Sequence, residues 1–165
     1  MSVVFGRLRW RRVLLAGLSG GIVWLLAMLA LFGPAQRLLT DPRLQSAKFI
    51  AAFADPVAPP RAATAPWIIP AGVVIIATGF ALAYGLVHPA LGATRIRRGI
   101  LFGFVAWLLM VPWFEFYLPW NVMLEPWPLV LLELFCWFLV LQLTAQAIAW
   151  AYEGRSPRPG STGVA

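Results

Sequence analysis

The chain alternates between long apolar stretches and short polar segments. Val13–Phe32 is twenty residues long, Trp67–Val87 is twenty-one, and neither contains a charged residue. Gly99–Leu118 and Leu129–Trp150 are of similar length, and each contains a single glutamate. About 20 helical residues at ~1.5 Å rise cross a hydrocarbon core about 30 Å thick. The pattern therefore predicts four transmembrane helices, because only a helix satisfies the backbone of such a segment in lipid.

Basic residues cluster at the ends of these stretches and predict an orientation. The chain has 165 residues, is 61% hydrophobic and has a net charge of +7, and its mean hydropathy is +0.81. Nine Lys and Arg residues lie on one side and four on the other, so the positive-inside rule places the first side, with both termini, in the cytoplasm. The net positive charge is therefore explained mainly by the orientation of the spans, together with some attraction to anionic lipid. We expect no nucleic-acid partner. The nine are Arg7, Arg9, Arg11, Arg12, Arg95, Arg97, Arg98, Arg155 and Arg158, and the four are Arg37, Arg43, Lys48 and Arg61.

We therefore expect an all-α integral membrane protein, a four-helix bundle in the bacterial inner (cytoplasmic) membrane. The first span should be retained, since its twenty-residue apolar run exceeds the about 7–15 residues of a signal peptide. The predicted organisation is a basic cytoplasmic segment over 1–12, a membrane domain over 13–150 and a disordered cytoplasmic tail over 151–165. Within the membrane domain the predicted spans are 13–32, 67–87, 99–118 and 129–150, with an external loop over 33–66.

The external loop has two predicted parts. Asp41 and Pro42 have the residue types that start a helix, and Arg43–Phe53 has apolar residues at helical spacing. This pattern predicts a short helix on the membrane surface. Four prolines in Asp55–Pro66 predict an extended, non-helical connector. The loop either only joins two spans or serves as a lid or docking surface.

Two intramembrane glutamates are the most informative polar residues. Glu115 is near the outer end of span three and Glu133 near the outer start of span four, so both fall at similar depth. Asn121 and Glu125 lie in the turn between them. Because a charge inside the membrane is costly, these residues predict a polar cluster facing the bundle interior. The cluster is either an outward-facing site for a cation, proton or polar ligand, or a set of hydrogen bonds that fixes the hairpin.

Aromatic residues surround this predicted cluster. They form either an interfacial aromatic belt or a pocket for a cation or a flat ligand. They are Trp113, Phe114, Phe116, Tyr117, Trp120 and Trp127.

Other residues predict helix contacts. Gly17 and Gly21 in span one, and Gly99 and Gly103 in span three, have the four-residue spacing of close helix packing. Gln142 and Gln146 share the face of span four opposite Glu133. Either span four is unusually central in the bundle, or this face is an association face that meets another copy or subunit.

The sequence favours no catalytic chemistry. Cys136 is the single cysteine and His88 the single histidine, so we expect no disulfide, no metal site and no cofactor. We find no paired nucleophile and base and no phosphate-binding glycine loop. The leading hypothesis is a non-enzymatic membrane subunit or scaffold, with the bilayer and a homo-oligomeric or membrane-protein contact as partners. The alternative is a small transporter or channel subunit that uses the carboxylate cluster.

Overall fold

The computed structural model describes residues 8–54, 60–92 and 94–154, and every secondary-structure element in these ranges is helical. Four helices, two of them with short helical extensions, are long and apolar enough to cross a membrane. The predictions of an all-α chain and of four apolar helices of membrane-spanning length are thereby confirmed. The four helices are α1 (Trp10–Leu39), α2 (Ile68–Val87), α3 (Arg95–Glu115) and α4 (Trp127–Glu153).

Helices α1 and α4 form the centre of the bundle. Helix α1 packs along both α4 and α2, whereas α3 packs mainly on α4. Small buried residues such as Ala16, Ala77 and Ala149 line these contacts and allow the backbones to approach closely. At one end, the ring of Tyr84 on α2 contacts Phe102 on α3 edge-on. The packing of α1 on α2 and α4, and of α3 on α4, arranges the helices in the order α2, α1, α4, α3. The contact between Tyr84 and Phe102 brings α2 and α3 together at that end.

The four glycines of the predicted packing motifs lie at helix contacts. A Cβ atom added at Gly17 would lie 2.7 Å from the Cα of Thr78 on α2, which is too close for any side chain. Gly21 faces α2 in the same way, and Gly99 and Gly103 face α4. The missing side chains therefore allow α1 to pack on α2, and α3 to pack on α4.

Helix α1 is longer than the sequence pattern predicts. The predicted span ends at residue 32, but the helix continues through Pro34 to Leu39. Ala35 and Leu39 are buried and belong to one apolar cluster with Leu129 of α4. Burial of this seven-residue extension offsets the hydrogen bond that proline cannot donate.

The segment after α1 also differs from the prediction. The Asp41 side chain accepts a hydrogen bond from the backbone N–H of Arg43, forming a turn where a helix start was predicted. The helix begins only at Ala47–Phe49, capped by Ser46, and continues as a wider helical turn over Ile50–Ala54.

The connector before α2 is partly helical, so the prediction of a wholly extended segment is wrong. Arg61–Thr64 forms one helical turn between Pro60 and Pro66, neither of which lies inside the turn. Residues 55–59 of the predicted connector lie outside the described residues.

The last two helices exceed their predicted bounds. Helix α3 begins at Arg95, where the Thr94 hydroxyl caps it, and a wider helical turn extends it over Phe116–Val122. Helix α4 continues to Glu153 and ends at Gly154, whose φ of 69° requires glycine. Residues 151–153, predicted in the tail, are therefore helical. The rest of that tail from residue 155 and the first seven residues of the chain lie outside the described residues.

Candidate functional site: a chain of three glutamates

Three glutamates meet at the end of the bundle formed by residues 40–54 and 116–126, which we call the loop end. Glu115 is the last residue of α3, Glu133 lies in the second turn of α4, and Glu125 lies between the two helices. Only 1% of Glu115 and 2% of Glu125 is exposed. The carboxyl of Glu133 lies next to those of both Glu115 and Glu125 and interacts with each of them. We call these three residues the glutamate chain.

The segment that joins α3 to α4 turns Glu125 inward. Pro119 lies in the wide turn that follows α3, and its carbonyl accepts a hydrogen bond from the Glu125 backbone N–H at 2.9 Å. Leu124 adopts a left-handed conformation with a φ of 58°, which reverses the chain just before Glu125. Local backbone geometry therefore holds this carboxyl beneath the turn.

A residue that the sequence analysis did not single out completes the cluster. The Gln45 side chain is 7% exposed, and its Nε2 donates to Glu125 Oε1 at 2.6 Å and to the Leu39 carbonyl at 3.3 Å. The neighbouring Ser46 hydroxyl donates to the Met123 carbonyl. The segment after α1 is thus tied to the α3–α4 connection by two side chains. Sequence periodicity gives no signal for this contact, because the partners are 80 residues apart.

The fourth predicted site residue lies elsewhere. The Asn121 side chain is exposed, and it borders a separate surface hollow with Trp120, Leu124 and Glu125. The structure therefore brings together three of the four predicted residues and leaves Asn121 on the surface beside them.

The glutamate chain has carboxyl oxygens without protein partners. Within the described residues, Glu115 Oε2 and Glu125 Oε2 are buried and accept no hydrogen bond. The ion pairs seen there join Arg95 and Arg98 to Glu153, at the far end of the bundle. Since ionised carboxylates only accept hydrogen bonds, a hydrogen bond between two of these carboxyls requires a proton on one of them. The site therefore has the composition to hold a proton or a positively charged ligand.

Glu125 lies outside the membrane-length helices, and its environment favours the protonated form. Burial, with the nearby charge of Glu133 adding to it, raises the pKa of Glu125 to about 7. The hydrogen bond from Gln45 acts in the opposite direction, because it stabilises the ionised carboxylate. Glu125 is thus balanced between its two protonation states near neutral pH.

A cavity of about 350 Å³ lies beside the glutamate chain, and Glu115 and Glu133 both line it. This volume falls within the about 300–1,000 Å³ typical of small-molecule sites. The cavity lining contains no lysine or arginine. Among the described residues, no group of three or more His, Cys, Asp or Glu side chains has the geometry to hold a metal ion. Aromatic rings supply much of the wall, namely Phe32, Phe49, Phe53, Phe114 and Trp137.

The aromatic residues predicted to surround the cluster face outward. Trp113 is 72% exposed, and Trp120 and Trp127 lie side by side on the surface with ring centroids 5.3 Å apart. Of the six aromatic residues predicted, only Phe114 lines the cavity. The aromatic walls come instead mainly from α1, α4 and the segment after α1.

The two glutamines of α4 contact α3 of the same chain. Gln146 Nε2 donates to the Ile96 carbonyl at 3.0 Å, and both side chains pack against the glycines of α3. Gln142 Nε2 is buried without a partner in the described structure. Helix α3 covers the face of α4 that carries Gln142 and Gln146, as expected if span four is central in the bundle. Contact of these glutamines with another copy or subunit stays a prediction.

Comparison of the chain with protein-family models, with curated proteins and with solved structures finds no match. Function must therefore be argued from the chemistry of the residues themselves.

Proposed function

We propose that this protein is a small, non-enzymatic transporter or channel subunit whose outward-facing site binds a small organic cation in competition with a proton. The observation that supports the proposal is the cavity itself. It combines two carboxyl groups, Glu115 and Glu133, with five aromatic rings and has no basic residue in its lining.

The orientation is part of the proposal. The loop end carries the smaller share of basic residues, so it faces outward from a bacterial inner membrane under the positive-inside rule. The exposed Trp113, Trp120 and Trp127 lie at the same end, where an interfacial aromatic belt belongs. The cavity then opens toward the outer surface.

The wall chemistry favours an organic cation over a metal ion. A hard metal ion needs several oxygen ligands at fixed distances, and the described acidic residues provide no such group. A quaternary ammonium needs no ligand geometry, because aromatic faces and a nearby carboxylate stabilise it over a broad surface. Phe49, Phe114 and Trp137 supply faces of this kind around Glu115 and Glu133.

Proton competition follows from the glutamate chain. In this proposal, the neighbouring carboxyls of Glu115 and Glu133 share one proton when no cation is bound, because two adjacent carboxylates repel each other. A bound cation replaces that proton, because it stabilises the ionised carboxylate directly. Binding should therefore release a proton and grow tighter as pH rises.

The test compares choline with its neutral isostere, 3,3-dimethylbutan-1-ol, by calorimetric titration of the protein in lipid nanodiscs. Choline should bind at least about tenfold more tightly, since a desolvated cation–aromatic contact is worth about 2 kcal/mol and tenfold is 1.4 kcal/mol. If one proton is displaced, choline affinity should rise about tenfold per pH unit while the site is protonated.

Variants connect the result to the site. The double change Glu115→Gln and Glu133→Gln should remove both the preference for choline and its pH dependence. Asp41→Asn is the matched control, because it removes one carboxylate of the same end outside the cavity and preserves the turn with Arg43. Phe53→Leu tests the aromatic wall without touching a carboxyl, and should weaken choline more than the isostere.

Equal affinity for choline and the isostere, or equal losses in the double variant and in Asp41→Asn, would contradict the proposal. If neither compound binds, the better account is a scaffold subunit whose glutamates only fix the α3–α4 hairpin.

A further inference from the structure

The opposite end of the bundle contains a larger cavity with different chemistry. We call this the arginine end, where α1 begins and α4 finishes. A cavity of about 840 Å³ lies there, and Arg9, Arg12 and Arg98 line it together with His88 and Glu153. Three guanidinium groups thus face one carboxylate.

That carboxylate is fully engaged with other groups. Glu153 Oε1 accepts hydrogen bonds from the Tyr84 hydroxyl and from Arg98 Nε, the latter at 2.9 Å. Its Oε2 accepts from Arg98 Nη2 at 2.6 Å, and Arg95 approaches it at 3.8 Å. Glu153 therefore pairs with Arg98 and Arg95, and among the described residues no carboxylate forms an ion pair with Arg9 or Arg12.

Arg12 has donors to spare. Its Nη1 donates to the backbone carbonyls of Tyr152 and Glu153, which end α4. These two contacts use one of its three guanidinium nitrogens. The two carbonyls lie at the negative end of the α4 dipole and stabilise the guanidinium in part, but they contain no full negative charge.

The start of α1 adds further positive character. Arg9 precedes the first turn, no side chain caps it, and that turn contains no acidic residue in the structure as described. The first backbone N–H groups of a helix and its dipole favour an anion. Here that end coincides with a cavity lined by Arg9 and Arg12, which have no carboxylate partner within the part of the chain that the structure describes.

The surface next to the cavity is apolar. Trp10, Leu14 and Leu15 are between 53% and 62% exposed along α1, as expected for a lipid-facing helix surface. A lipid whose headgroup enters the cavity could place its acyl chains along this surface.

We propose that the arginine end is a binding site for an anionic phosphate group, with the phosphate held by Arg9, Arg12 and the start of α1. A phospholipid headgroup and a free phosphate share this chemistry, and the experiment separates them. The proposal does not depend on the function of the glutamate chain.

Native mass spectrometry of the full chain in detergent can measure binding of phosphatidylglycerol and of zwitterionic phosphatidylcholine, and calorimetry can measure binding of inorganic phosphate. Arg9→Gln should weaken binding of the anionic probe about fivefold, the usual effect of one basic residue near a membrane surface. Arg11→Gln is the matched control, because Arg11 is exposed on the same helix and does not line the cavity. It should change the affinity by less than about twofold.

Tighter binding of phosphatidylglycerol than of phosphatidylcholine, dependent on Arg9, assigns the site to a lipid headgroup. Binding of inorganic phosphate with the same dependence but no lipid discrimination assigns it to a soluble phosphate. Equal effects of Arg9→Gln and Arg11→Gln, or no anionic probe bound in wild type, would overturn the proposal.

Discussion

The contact between Gln45 and Glu125 should stabilise the fold by an amount that depends on pH. Gln45 Nε2 donates to Glu125 Oε1 at 2.6 Å in a buried setting. A hydrogen bond to a charged group contributes about 1.5–3 kcal/mol, and one between neutral groups about 0.5–1.5 kcal/mol. Because the pKa of Glu125 is about 7, the acceptor is ionised at pH 8 and neutral at pH 5.5.

The change Gln45→Leu keeps a buried side chain of similar size and removes the donor. We expect it to lower the free energy of unfolding by about 2 kcal/mol at pH 8 and by about 1 kcal/mol at pH 5.5. Reversible unfolding in mixed micelles at the two pH values measures both numbers. Loss of the donor should also move the pKa of Glu125 further upward, since the bond favours the ionised form.

The Glu125→Gln background provides the control. Glutamine at this position cannot ionise, so the cost of Gln45→Leu should be the same at both pH values there. A cost independent of pH in the native background, or dependent on pH in the Glu125→Gln background, would refute the reasoning.

Three further predictions follow from other parts of the molecule. The contribution of Glu125 to stability should be greatest below the ordinary pKa of 4.5 and should be lost as pH rises through about 7, because burial raises the pKa of Glu125 in the fold. The difference between the pH profiles of wild type and Glu125→Gln isolates this contribution from those of the other acidic residues. Gly17→Ala should destabilise the fold by about 1–3 kcal/mol in a thermal unfolding assay, because the added Cβ collides with the α2 backbone. Gly79→Ala is the control and should be neutral or slightly stabilising, because a Cβ there meets nothing within 4 Å. Single cysteines introduced at Thr64 and at Ser156, in a variant without the native cysteine, test the orientation. The cysteine at position 64 should react with an impermeant maleimide from outside, and the cysteine at position 156 should react only after the membrane is opened. The reverse pattern would invert the proposed orientation.

The helices are the part of the fold that sequence predicts well. A run of about 20 apolar residues admits one backbone solution in lipid, so spans such as Val13–Phe32 follow from composition and length alone. The end of α1 cannot be predicted in this way. Pro34 locally disfavours a continuing helix, and only burial of Leu39 against α4 explains why the helix extends beyond it.

The glutamate chain was only partly predictable. Depth along the spans brings Glu115 and Glu133 together, because position along a helix converts directly into position across a membrane. Gln45 could not be predicted, since its partner is 80 residues away and no local pattern encodes that contact. The same limit applies to Gln146, whose hydrogen bond to the Ile96 carbonyl joins residues 50 positions apart.

Infrared difference spectroscopy of the protein in lipid, with and without choline, tests the central claim most directly. If choline displaces a proton shared by Glu115 and Glu133, its addition should remove absorption of a protonated carboxyl and add absorption of a carboxylate. The change should be absent in the Glu115→Gln, Glu133→Gln variant and present in Asp41→Asn. Choline bound without any change in carboxyl absorption would contradict competition between cation and proton at the glutamate chain.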